Sequence, residues 1–132
     1  MEIKTAYAFG KSIAAPFGEV EQKVRAELAK EGFGIMSEID VQAKFKEKLA
    51  RDFREYVILG ACNPPLAWEA FAREINIGTL LPCNVVVYRD DDGKTAVVVM
   101  DPVAALGVIG NPELTEIASQ VRARMERVLA AI

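Results

Sequence analysis

Two valine-rich segments, Cys83–Arg89 and Thr95–Met100, flank the sequence Asp90-Asp91-Asp92-Gly93. Runs of strand length rich in β-branched residues and separated by an Asp/Gly turn predict a β-hairpin. This hairpin constrains the fold most, because an antiparallel pair so apolar cannot meet water on both faces. Helices must cover one face, and a second subunit is the cheapest cover for the other. The aspartate run resembles a calcium loop only in charge. It lacks the alternation and the closing glutamate of such a loop, so it reads as a solvated turn.

The rest of the chain supplies the helices. Pro16 suits a first helical turn, and Val20, Val24 and Leu28 recur every four residues until Gly32 stops the helix at C′. Asn111-Pro112 opens a last helix with Leu114, Ile117, Ala118, Val121, Met125, Val128 and Ile132 in one stripe. Asn63-Pro64-Pro65 starts another over 64–75, with Trp68, Phe71, Ala72 and Ile75 as its expected apolar face. Residues 2–9 read as one strand and 10–15 as a loop; 33–39 and Tyr56–Cys62 read as strands, with Asp40 capping a short helix that carries Val41, Phe45 and Leu49. The order β-α-β-(α)-β-α-β-β-α predicts an α+β fold, with about five antiparallel strands, two long helices and shorter ones. At 132 residues and 52% hydrophobic content the chain fits a single domain, residues 1–132, with material for one core.

Composition excludes several chemistries. A net charge of −3 gives no basic face for nucleic acid. With no histidine, neither Ser-His-Asp nor Cys-His catalysis is available, nor a histidine metal site. The first residues lack a signal peptide's apolar stretch, and no run approaches the ~18–20 apolar residues of a membrane span. A cytoplasmic protein with free thiols is expected, without membrane or nucleic-acid partners and with no cofactor implied.

Most local motifs reduce to structure. Gly10-Lys11-Ser12 resembles part of a phosphate loop, but Thr5 stands where its first glycine is required. Gly107-Val108-Ile109-Gly110 has GxxG spacing without basic neighbours. Lys44, Lys46, Lys48, Arg51 and Arg54 form the one basic patch, either a solvated face or an anion site. The two cysteines are different. Cys62-Asn63-Pro64-Pro65 ends one strand and Leu81-Pro82-Cys83-Asn84 begins the next, so antiparallel pairing would bring both thiols to one sheet end, beside a helix N-terminus. Tyr56, an even number of residues from Cys62, is expected to face the same side. The candidate ligand-binding set is therefore Tyr56, Cys62, Asn63, Cys83 and Asn84. Three readings remain open. One is a small-ligand-binding or regulatory domain with its pocket near Cys62 and Cys83. Another is a thiol-dependent enzyme or redox protein using that pair. The last is a structural homodimer in which both cysteines are packing. The apolar stretches 77–81 and 103–109 read as loops and are expected to rim the pocket or form the subunit contact.

The chain resembles the domain-of-unknown-function family 302 from about residue 17 to 128. The resemblance lies in Glu31-Gly32-Phe33-Gly34, Glu38-Ile39-Asp40, the block from Tyr56 to Pro64, Gly78-Thr79-Leu80-Leu81-Pro82-Cys83-Asn84, and Asp101-Pro102. It implies a TATA-binding-protein-like α+β domain, a curved antiparallel sheet carrying helices, and a dimer. It implies no activity, cofactor or catalytic residue, and the shared fold carries no DNA-binding function to an acidic chain.

Overall fold

The computed structural model describes residues 2–132. Six antiparallel strands form one open sheet in the order β1-β2-β6-β5-β4-β3, with β1 Glu2–Lys4, β2 Ala8–Ile13, β3 Gly34–Asp40, β4 Tyr56–Cys62, β5 Cys83–Arg89 and β6 Thr95–Met100. The helices are α1 Phe17–Lys30, α2 Val41–Leu49, α3 Pro64–Arg73, α4 Pro102–Gly107 and α5 Thr115–Ala130. The expected α+β class and antiparallel sheet are present, with six strands rather than about five.

The sixth strand arises near the start of the chain. The Thr5 hydroxyl accepts hydrogen bonds from the amides of Tyr7 and Ala8, and this turn splits the expected single strand into β1 and β2. Residues 10–13, expected as loop, are strand and pair with β6. The phosphate-loop resemblance ends there: Ser12 donates to Asp90 at 2.8 Å and Lys11 to the Ile132 carbonyl at 2.9 Å. Asp90 also accepts from the amides of Asp92 and Lys94, closing the hairpin turn, while Gly93 takes the left-handed conformation at φ 76°.

The main core lies between one sheet face and helices α1 and α5. Val57, Leu59, Val85, Val87, Val97 and Val99 meet Val20, Val24 and Leu28 of α1 and Val121, Met125 and Val128 of α5, all of them buried. The four-residue periodicity of both helices is thus the core pattern that the sequence predicts. A smaller second cluster joins Ala70, Ile77, Leu106, Leu114, Ile117 and Ala118. The segments expected to rim a pocket or form the contact therefore bury Ile77 and Leu106 within this chain. Segment 103–109 is largely helix α4, started by Asp101 accepting from Val103 and Ala104 amides ahead of Pro102.

The opposite face carries no helix over β2, β6 and β5, and its composition is unusual. Ladder register assigns to it Ile3, then Ala8, Gly10 and Ser12, then Ala96, Val98 and Met100, then Asn84, Val86 and Tyr88, then Tyr56, Ile58, Gly60 and Cys62, and finally Ser37 and Ile39. None of these is charged. Glu2, Lys4, Lys11 and Glu38 all have the register of the helix side.

Candidate functional site

The end of β4 is anchored to the turn after α1. Gly32, in the left-handed conformation at φ 83°, follows α1, and Phe33 returns its amide to the Leu28 carbonyl. The buried Asn63 side chain donates to the Glu31 carbonyl and accepts from Leu66 N, so one residue caps α3 and ties it to α1. Arg124 of α5 donates to the same Glu31 carbonyl at 2.9 Å. A Cβ on Gly32 would stand 3.1 Å from the Asn63 amide nitrogen, tighter than normal contact. Two sequence blocks distant along the chain, Glu31-Gly32-Phe33-Gly34 and Cys62-Asn63-Pro64, thus form one structural latch.

Behind the latch lies a cavity of about 250 Å³ between the sheet end, α3 and α5. Its lining is apolar, with Phe33, Leu66, Ala70, Phe71, Leu81 and Val121 among the walls. Cys62, Asn63 and Cys83 border it, as their positions at facing strand ends predict. Cys83 pairs with Ala61 and shares the core-facing parity of Val85; Cys62 stands one residue further along β4, with the opposite parity. Alternation therefore turns the two side chains to opposite faces of the sheet, although both residues border the cavity. Neither thiol is in a disulfide.

Tyr56 and Asn84 are elsewhere. Tyr56 stands at the far end of β4, about 20 Å along the strand from Cys62 at ~3.3 Å per residue. There it stacks on Tyr88 with ring centroids 5.2 Å apart, and Phe53 and Phe45 continue the aromatic row. Asn84 follows Cys83 by one residue, so strand alternation turns it to the uncharged face, where it borders a groove with Tyr56, Tyr88 and Tyr7. The α3 face also differs from expectation. Trp68 is 76% and Ile75 77% exposed, whereas Ala70 is buried and Leu66 half-buried. Asn63 pins the rotation of α3, and the helix ends at Arg73, which removes Ile75 from its face.

Met36 is the site residue that sequence reasoning missed. The β3–β4 register shifts between Ile35 and Ser37, making Met36 the bulged residue, and it lines the cavity mouth. Bulges re-aim side chains in this way, but no glycine or proline at position 36 signals one.

Burial raises both thiols. It is the cause at Cys62, and at Cys83 burial followed by the charge on Cys62 pushes the thiol up to about 11. A nucleophilic thiolate needs the opposite shift. Labelling at neutral pH should therefore modify Cys62 slowly and Cys83 only on unfolding; rapid labelling of Cys83 in the folded protein would contradict this. The sign of the pH effect also follows. The unfolded chain releases the Cys83 proton near 9.0, whereas the folded chain holds it to about 11. Stability is unaffected by this group below the unfolded value and falls as pH rises between the two, by roughly 3 kcal/mol in total. Urea unfolding of Cys83→Ala should lack that part of the alkaline decline.

The basic patch forms ion pairs. Lys44 and Lys48 meet Glu47, Lys46 meets Asp52 at 3.1 Å, and Arg54 meets Asp91 at 2.7 Å. These are exposed pairs of a solvated surface. Among the described residues no group of three or more His, Cys, Asp or Glu could hold a metal ion, and no helix is long and apolar enough to cross a membrane.

Comparison with known proteins agrees with this architecture. The crystal structure of an uncharacterized conserved DUF302 protein from Bacillus stearothermophilus matches with a TM-score of 0.89 and 29% identity, over 96% of this chain and 98% of that one. No curated protein matches the sequence. The sequence model described as Domain of unknown function DUF302 matches residues 9–132, which include the latch, both cysteines and every helix. The chain belongs to the DUF302 family.

Proposed function

We propose that this chain is a small-molecule-binding domain whose ligand enters the cavity bordered by Cys62 and Cys83. The observation that carries this reading is the lining: a half-open cleft of about 250 Å³ walled by Phe33, Leu66, Ala70, Phe71 and Val121, with Asn63 as its one side-chain amide. Small-molecule sites are concave and predominantly apolar with few polar groups, and this cleft has that character. Apolar cavities of about 150 Å³ already accept benzene. The ligand is therefore small and predominantly apolar, of about the size of one or two fused rings. Native mass spectrometry of the freshly purified protein should detect such a ligand or, after addition, one bound indole per chain. Ala67→Phe, which projects a ring into the cavity, should weaken indole at least tenfold without unfolding the protein. Equal binding by both proteins would overturn the reading.

A second observation bears on assembly. An open antiparallel face normally alternates polar residues into solvent, and this one has no charge from Ile3 to Ile39. An uncharged face is compatible with its own copy across a two-fold axis, where a charge on the axis would meet its like and one off it would be buried. We infer a homodimer that covers this face, with Val86 and Met100 near its centre. Light scattering at micromolar concentration should give twice the chain mass, and Val86→Asp should give a folded monomer. A monomeric parent would contradict the inference. The cytoplasm is the compartment we propose, and two unbridged thiols support it.

A further inference from the structure

The uncharged sheet face is not flat. It holds a groove of about 380 Å³ with no charged residue in its lining. Val86 and Val98, paired across β5 and β6, line it together with Met100. Tyr7 borders it from the turn between β1 and β2, while Tyr56 and Tyr88, paired across β4 and β5, border it from the other side. Tyr7 is 69% exposed, and the half-buried Tyr56 stacks on Tyr88. Burial, then the neighbouring Tyr88 and Tyr7 phenols, raise the Tyr56 phenol above its ordinary value, so it is a neutral hydroxyl at physiological pH. Asn84 adds an exposed amide. Among the described residues, these three hydroxyls and this amide make no hydrogen bond within the chain, and none of them is buried without a partner. Phenol and amide groups both donate and accept.

Covering this face with a second copy takes those groups out of water. A two-fold interface sets the same patch on both sides, so a contact centred near Val86 and Met100 brings two grooves together. Polar groups shut away from water are costly unless something returns their hydrogen bonds. An apolar occupant returns none, and an ion meets no opposite charge. A ring that carries several hydroxyls satisfies phenols and amides together, and its C–H face packs on the tyrosine rings. We propose that the facing grooves of the homodimer form a second binding site, for a neutral polyhydroxylated ring of the sugar or cyclitol class. The site is complete only when both copies contribute Tyr7, Tyr88 and Asn84. It rests on the homodimer reading and is independent of the cleft beside Asn63.

Methyl NMR and light scattering on the full chain test this, with methyl glucoside, methyl galactoside, methyl mannoside and myo-inositol as probes. At least one probe is expected to give saturable shifts at the Val86, Val98 and Met100 methyls, with Ala67 and Ala70 of the cleft unmoved. Because that probe binds the dimer, it should preserve the dimer to about tenfold greater dilution. Tyr7→Phe keeps the ring and loses one hydroxyl, so it should stay dimeric and bind that probe about threefold or more weakly. Tyr7→Ala loses the ring as well and should weaken it about tenfold or more. Equal binding by Tyr7→Phe and the parent, or a dimer that dissociates as the probe binds, would overturn the proposal. A dimeric parent that none of the probes shifts would also overturn it and leave the homodimer reading standing. A monomeric parent would remove the homodimer reading, and this site with it.

Discussion

Met125→Asp is expected to abolish folding. Met125 is completely buried, near the middle of α5, among Val20, Val24 and the valines of β5 and β6. A carboxylate there has no partner, and burying an unpaired charge costs several kcal/mol against a total stability of about 5–15 kcal/mol. Met125→Leu keeps the volume and should cost less than about 1.5 kcal/mol, which isolates charge from shape. Circular dichroism during heating reads both variants. A Met125→Asp protein that melts within a few degrees of the parent would show that α5 does not pack as described.

Gly10→Val tests the sheet, and local propensity gives the wrong sign for it. Valine favours strands and glycine weakens them, so an exposed strand position would gain from the change. Gly10, however, pairs with Val98 in β2–β6, and a Cβ on it would overlap the Val97 carbonyl. That obstacle is backbone within the ladder and cannot turn aside. The variant should therefore lose ~3 kcal/mol or more, the upper end for overpacking. Urea unfolding measures it, and a gain in stability would place β2 away from β6.

Much of this fold was legible because its signals are local. Gly32 ends α1, Asp40 caps α2, Asn63-Pro64 opens α3, and each acts through its own neighbouring amides. The same cap-plus-proline signal at Asp101-Pro102 opens α4, but it sits inside an apolar run that reads as a loop. Facing and rotation were harder to read. On α3 two stripes compete, a bulky one through Trp68 and a small one through Leu66 and Ala70. Contacts with Glu31, distant in sequence, decide for the small one. Cys62, Asn63 and Cys83 border one cavity because strand ends and pairing order place them there. Strand alternation nevertheless sets the two cysteines on opposite sheet faces, against the expectation of a thiol pair. Tyr56 and Asn84 separate from them for reasons of strand geometry: six residues of extended chain in one case, and one residue of alternation in the other. The Met36 bulge depends on how β3 meets β4, so nothing within β3 announces it.

The most direct test of the cavity as a binding site is an NMR titration of the methyl groups with indole. Occupation of the cavity predicts saturable shifts at the Ala61, Ala67, Ala70 and Leu66 methyls, with Val86, Val98 and Met100 on the uncharged sheet face unmoved. Shifts confined to the sheet face, or none at any methyl lining the cavity, would contradict it.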